Sequence, residues 1–189
     1  GVIILLTKFA DDIKNAIIAA VAGASEVGMA LQNAVKDNVV TALKGTSTMT
    51  TAASSSVRDV VSGAVAAASQ MGTSVATATK NIVIGAIQGA SEAGQSLIEA
   101  AAEAVSGAVH AAAETGADVA AVAVAAVEAV VEEAGKLGQD SAEATRQAVV
   151  AAIKAADEIG TQAGQAVRKA LKGVASIPAD LIKSLLGGN

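Results

Sequence analysis

The chain reads as an all-α protein built from a repeat, and three observations carry that expectation. Gly28, Gly72, Gly94, Gly116, Gly138 and Gly160 fall on one frame of 22 residues, with Thr50 at the missing step. Eleven positions further on, the frame carries Ile17, Val39, Val61, Val83, Val105, Val127, Val149 and Leu171, so eight units agree without insertion or deletion. The chain is also 52% hydrophobic with one Phe, no Trp or Tyr and a single Pro. Its apolar content is therefore mostly Ala and Val, which suits thin, closely packed helices better than a rounded aromatic core.

Taken in order, residues 1–6 form an apolar N-terminal segment, GVIILL, too short for a membrane span or a secretory signal. No Met precedes it. That start reads as a processed end or a boundary in a longer chain, and processing points toward an extracellular or cell-surface assembly.

Residues 7–173 carry the repeat. Twenty-two residues are two elevens, and eleven residues make three helical turns at about 3.67 residues each, close to the natural α-helical period. A helix carries such a hendecad pattern almost straight. The first expectation is therefore one long, near-straight helix on the order of 250 Å, packing side by side with copies of itself in a bundle, tube or filament. Asp11 and Asp12 near the start and Arg168, Lys169 and Lys172 near the end suit the dipole of such a helix.

The alternative is an up-and-down array of short helices. In it Gly94 would close one helix, with Ser96 as the next N-cap and Glu99 completing a capping box, and Gly138, Asp140 and Glu143 would repeat the device. Its very short connections favour the continuous helix.

Two places weaken the repeat helix. GTSTMTTAASSS, within residues 45–56, has poor helix propensity and no charge, and reads as a weak stretch or hinge. Gly173 and Pro178 break the helix near its end, leaving residues 174–189 as a short amphipathic helix, from Pro178 to Leu186, and a tail.

On a helical projection the valine column belongs to a bulky stripe. Beside it runs a stripe of small residues such as Ala100, Ala104, Gly107 and Ala111. The two stripes cover about half the circumference, so each helix needs neighbours on two sides, or a neighbour and a lipid surface. Val39, Val61, Val83, Val105, Val127, Val149, Ala104 and Gly107 are the expected helix-packing residues. A mid-helix Gly costs about 1 kcal/mol against Ala, so Gly63, Gly85, Gly89 and Gly107 call for compensating close contacts.

Chemistry is sparse. Without cysteine there is no disulfide, thiolate metal site or thiol nucleophile. His110 is the only histidine and shares its column with Lys44, Gln88 and Lys154, so a solvated surface residue is expected rather than a catalytic base. Glu128, Glu132 and Glu133 read as a solvated face. No phosphate loop, serine–histidine pairing, metal site or cofactor site emerges. A net charge of −5 with dispersed Lys and Arg argues against nucleic acid as partner. No small-molecule substrate and no enzymatic activity are expected.

The segments NIVIGAIQGASEAGQSL and AVSGAVHAAAETGADVAAV resemble the eleven-residue helical repeats of hendecad coiled coils, and those of perilipins, synucleins and the granule-coating phasins. The resemblance covers most of the chain and is one of periodicity and small-residue composition. It implies adsorption along a droplet, granule or membrane, although this chain is acidic where such coats carry many Lys. Ala-rich eleven-residue repeats also resemble helical fish antifreeze proteins, but Thr7, Thr51, Thr73 and Thr161 share their column with Met29, Gln95, Ala117 and Gln139, which breaks the ice face. The expected function is a non-enzymatic structural protein whose partner is itself. The alternative is a lipid-surface coat or a membrane-embedded helical bundle.

Overall fold

A computed structural model describes residues 2–45, 50–138 and 140–187, with side chains from 11–45, 56–138 and 140–187. Among the described residues there are nine α-helices and no strand. They are α1 (Val2–Val21), α2 (Val27–Gly45), α3 (Thr50–Gln70), α4 (Val75–Glu92), α5 (Leu97–Thr115), α6 (Val119–Leu137), α7 (Ser141–Ile159), α8 (Thr161–Lys172) and α9 (Ala179–Leu186). The protein is thus an up-and-down helical array. The long continuous helix expected from the period is not what the chain forms.

The physical reason lies at the repeat glycines. Gly72, Gly94 and Gly116 have φ of +76°, +84° and +75°, a left-handed conformation that carries no steric penalty only without a Cβ. Each closes a Schellman turn. At the first, the N–H of Thr73 bonds the carbonyl of Ala68 at 3.0 Å and that of Gly72 bonds Ser69 at 3.1 Å; Gln95 and Gly94 repeat this on Ala90 and Ser91, and Ala117 and Gly116 on Ala112 and Ala113. Two residues past each glycine stands the next N-cap, Ser74, Ser96 or Asp118. Asp118 Oδ1 accepts from the Ala121 N–H at 3.0 Å, whereas Ser96 makes no side-chain capping bond. Gly138 ends α6 in the same left-handed conformation, and Asp140 begins α7 at φ +46°. The turns are short because the C-terminal and N-terminal capping devices sit almost end to end, so brevity did not exclude them.

Two repeat glycines depart from this use. Gly28 lies inside α2, and the first turn is made instead by Gly23 at φ +79°. Gly160 joins α7 to α8 in extended backbone. At the far end α8 stops at Lys172, and α9 follows Pro178. Of the stretch 45–56 read as a weak point, residues 46–49 lie outside the described residues, and α3 begins at Thr50.

Helices of about 19 residues are about 28 Å long. They stack in two layers: α1, α3, α5 and α7 lie side by side in one, α2, α4, α6 and α8 in the other, and consecutive helices pack across the seam. Because successive helices run antiparallel, neighbours within a layer are parallel. The short α9 packs on α8 and α7.

The valine column fills the interior. Ile17, Val39, Val61, Val83, Val105, Val127, Val149 and Leu171 are each 0% exposed and belong to one continuous core. Burying each such side chain contributes about 1.5–3 kcal/mol. The apolar faces expected to meet other chains therefore meet one another within a single chain.

The small-residue stripe governs packing within a layer. A Cβ on Gly85 would collide with the backbone carbonyl of Gln32, and one on Gly89 would lie 2.7 Å from the carbonyl of Lys36. A Cβ on Gly107 would lie 2.7 Å from the carbonyl of Arg58. Backbone of α2 thus occupies the space a side chain of α4 would need, and α3 does the same to α5. Ala104, beside Gly107 on α5, is also fully buried. The helical cost of these glycines is offset by close backbone approach.

Candidate functional site on the odd-helix face

The densest polar constellation lies on the outer side of the odd layer, where α3, α5 and α7 run parallel. His110 Nε2 lies 3.0 Å from Glu158 Oε2 on α7, and His110 Nδ1 lies 3.2 Å from Arg58 Nη2 on α3. The same Nδ1 is 2.9 Å from the backbone carbonyl of Ser106 and 3.4 Å from its hydroxyl. Nδ1 cannot make both of its bonds at once. Without a hydrogen it accepts from Arg58; carrying one it donates to the Ser106 carbonyl and loses the Arg58 bond, because a guanidinium only donates. His110 is a structural link across three helices with a side chain 21% exposed, not the solvated residue its column suggested.

Beside it lies a groove lined by Arg58, Ala102, Glu103, Ser106, Ala151, Lys154 and Glu158. Burial pushes the Glu103 carboxyl up to about 7, aided by the nearby charges of Glu99 and Asp59 and opposed by a hydrogen bond from Gln95 and by Arg58. Glu103 Oε2 and Gln95 Oε1 are buried without a hydrogen-bond partner, while Gln95 Nε2 lies 3.5 Å from Glu103 Oε1. Asp59, 44 residues earlier in the same column (103 − 59), is also raised by burial, against the pull of Arg58.

The even layer carries a different set of links. Lys36 pairs with Glu92 at 3.5 Å, and Lys80 with Glu132 at 2.7 Å. The bonds from Lys80 and Lys136 hold the Glu132 carboxyl below the usual range, and the Glu132 bond raises Lys80. Gln32 donates to Gln88 at 3.4 Å and Gln88 donates to Glu133 at 3.0 Å. Glu133, expected on a solvated face, is only 3% exposed, and its Oε2 lacks a hydrogen-bond partner, with Lys136 Nζ 3.8 Å away. On α7 and α8, Arg168 grips Asp157 through two bonds of 2.6 and 2.7 Å, which lower the Asp157 pKa and raise that of Arg168.

The structure places the packing valines in the interior, Ala104 and Gly107 between α5 and α3, and the repeat glycines mostly at helix ends. It does not bring the repeat glycines together as a surface. Sequence reasoning missed the Arg58–His110–Glu158 and Gln32–Gln88–Glu133 links. Their spacings, 52 and 48 residues in the first and 56 and 45 in the second, become neighbours only after the chain has turned back twice. The presence of opposite charges or amides about two units apart was the signal available.

Among the described residues no group of His, Cys, Asp and Glu is arranged to hold a metal ion, and no helix is long and apolar enough to cross a membrane. No family model matches the chain, and no curated protein matches it. Among solved structures, the crystal structure of the de novo designed helical repeat protein DHR7 is similar: 23% identical, covering 96% of each chain, with a TM-score of 0.53. At that identity the likeness shows the fold alone, an all-α helical repeat.

Proposed function

We propose that this protein is a non-enzymatic structural scaffold, a stack of helix pairs that associates with copies of itself through the open end of its layers. One observation carries the reading. Within the odd layer each interior helix is covered on both sides, but α7, the last full-length odd helix, is met on its far side only by the short α9, whose Leu185 borders a groove of about 580 Å³ along which Val150 and Ile153 stay partly buried. In the column of Ile153, Val109 and Val65 are fully buried. A repeat whose faces are completed only by the next repeat has an unmet packing demand at its end.

The non-enzymatic part rests on the odd-face groove. Ser106 is in mid-helix, where neighbouring N–H groups serve the helix rather than an oxyanion, and the imidazole nitrogen nearest its hydroxyl is engaged by Arg58 or by the Ser106 carbonyl. The coating alternative asks the apolar stripes to meet lipid. Those stripes form the interior of the array, so coating would require the helix pairs to come apart.

Light scattering across a concentration series, with negative-stain electron microscopy of the same lipid-free samples, tests the proposal. A size that grows with concentration, with rods or short fibres on the grid, is the expected result. A constant monomer that spreads onto oil droplets or vesicles, gaining helix only there, would overturn it in favour of the coat.

A further inference from the structure

We infer that the outward face of α7 receives α1 of a second copy, in the register that already joins successive odd helices, so that the odd layer continues across the junction. The inference rests on the self-associating reading above and specifies its surface.

The register follows from the repeat. Two 22-residue units separate equivalent residues of successive odd helices, as Val61, Val105 and Val149 show. At the α3–α5 contact, Gly107 sits against the Arg58 backbone, and the Ser62 hydroxyl reaches the Gly107 carbonyl at 3.4 Å. Moving the α3 residues forward by 88 positions gives Arg146 (58 + 88) and Val150 (62 + 88) on α7. Moving Gly107 back by 88 gives Ala19 on α1. The face of α1 that points away from the array repeats the small-residue stripe: Ala16, Ala19 and Ala20 are exposed, whereas Val60, Gly63 and Ala64 at the same places on α3 are buried. Ala19 of one copy thus corresponds to Gly107, and Arg146 and Val150 of the other to Arg58 and Ser62. Each end offers one side of a contact that the chain already makes internally; on α7 that side is the first half of the helix, around Arg146 and Val150, with Leu185 of α9 bordering the groove from Val150 to Glu158.

The even layer does not share in this. The free face of α2 carries Asp37, Asn38 and Thr41 where α4 has Asn81, Ile82 and Gly85 and α6 has Ala125, Ala126 and Ala129. Asn38 spends its side-chain N–H₂ on the Ala34 carbonyl at 2.7 Å. The junction is therefore one helix wide and lies below the roughly 1,200 Å² of standard stable interfaces. It should be reversible and concentration-dependent.

Because the chain has no cysteine, single introduced thiols report the register directly. An Ala19→Cys chain is mixed with a Val150→Cys chain under mild oxidation, and a second mixture uses Arg146→Cys in place of Val150→Cys. Circular dichroism checks that each variant keeps the parent's helicity, and an Asn33→Cys plus Val150→Cys mixture is the control. Both test mixtures should give disulfide-linked heterodimer at about ten-fold or more over the control, because docking raises the effective concentration of the paired thiols. Linking no greater than the control, in chains whose light scattering shows oligomers, would overturn this register and leave self-association standing. Monomers at every concentration would overturn both.

Discussion

The contact between α2 and α4 and the contact between α4 and α6 occupy the same place in the repeat and are made in opposite ways. On α4 the contact positions are Gly85 and Gly89; 44 residues later (85 + 44 and 89 + 44), α6 has Ala129 and Glu133. At the first contact, α2 backbone stands where a side chain would begin. At the second, a methyl group is buried and a carboxylate reaches back to the Gln88 amide at 3.0 Å. One architecture thus tolerates both a backbone-to-backbone contact and one filled by side chains. The repeat holds helix ends and interior columns constant, while residues at two positions decide how near the helices come.

The largest effect should come from forcing a side chain into the first contact. Gly85→Val puts a branched group against the Gln32 carbonyl and should cost about 3 kcal/mol or more in urea-unfolding experiments. The paired change Ala129→Gly at the other contact should cost only about 1–2 kcal/mol, from helix propensity and a lost methyl. Equal losses would show that the two contacts are alike.

Glu133 sharpens the comparison from the other side. Glu133→Ala removes the carboxylate that accepts from the Gln88 amide N–H₂ and leaves a void, with an expected loss of about 1–2 kcal/mol. Glu133→Gln keeps a carbonyl acceptor without the buried charge and should be neutral or slightly stabilising in the same assay.

A half-buried carboxyl of the odd layer, in a different column, adds a pH dependence. Glu103 titrates at about 7 in the folded chain against 4.5 as its ordinary value, so the folded state binds more protons between those values. Its contribution is complete below the lower value and is lost as pH rises through 7. Allowing for screening of a half-exposed group, stability should fall by about 1–2 kcal/mol from pH 5 to pH 8. Glu103→Gln should flatten that slope in a melting-temperature series, and an unchanged slope would assign the dependence to other groups.

The smallest effects separate the two uses of glycine. Gly94→Ala, at φ +84°, should cost about 1 kcal/mol, whereas Gly135→Ala, exposed in the last turn of α6 with no neighbour in reach, should gain about 0.5 kcal/mol. Thermal melts of the two variants should move in opposite directions.

Much of the fold was legible along the chain. The columns through Val105 and Gly107 pointed to helices with a bulky and a small face, because helical geometry converts spacing directly into sides of a cylinder. The capping pattern at Gly94 and Ser96 was legible too, and only its short connection made the continuous helix look preferable. Periodicity could not arbitrate, since an eleven-residue period lies so near the helix's own that it keeps phase whether the chain runs on or turns back. The polar links through His110 and Glu133 were out of reach for a further reason: column membership says which side of a helix a residue occupies, not which helix lies opposite.

By itself, then, the sequence determined that the chain is helical, where its apolar and small faces lie, and that six of its glycines recur at one position of the repeat. These are local consequences of backbone sterics, side-chain volume and spacing. Only the tertiary structure decided that most of the repeat glycines end helices, that the valine column is satisfied within one chain, and that Gly85 and Gly107 receive a neighbour's backbone where a side chain would begin. Those outcomes depend on which surfaces become neighbours, and a chain that turns back at Gly72, Gly94 and Gly116 supplies its own neighbours before any second copy can.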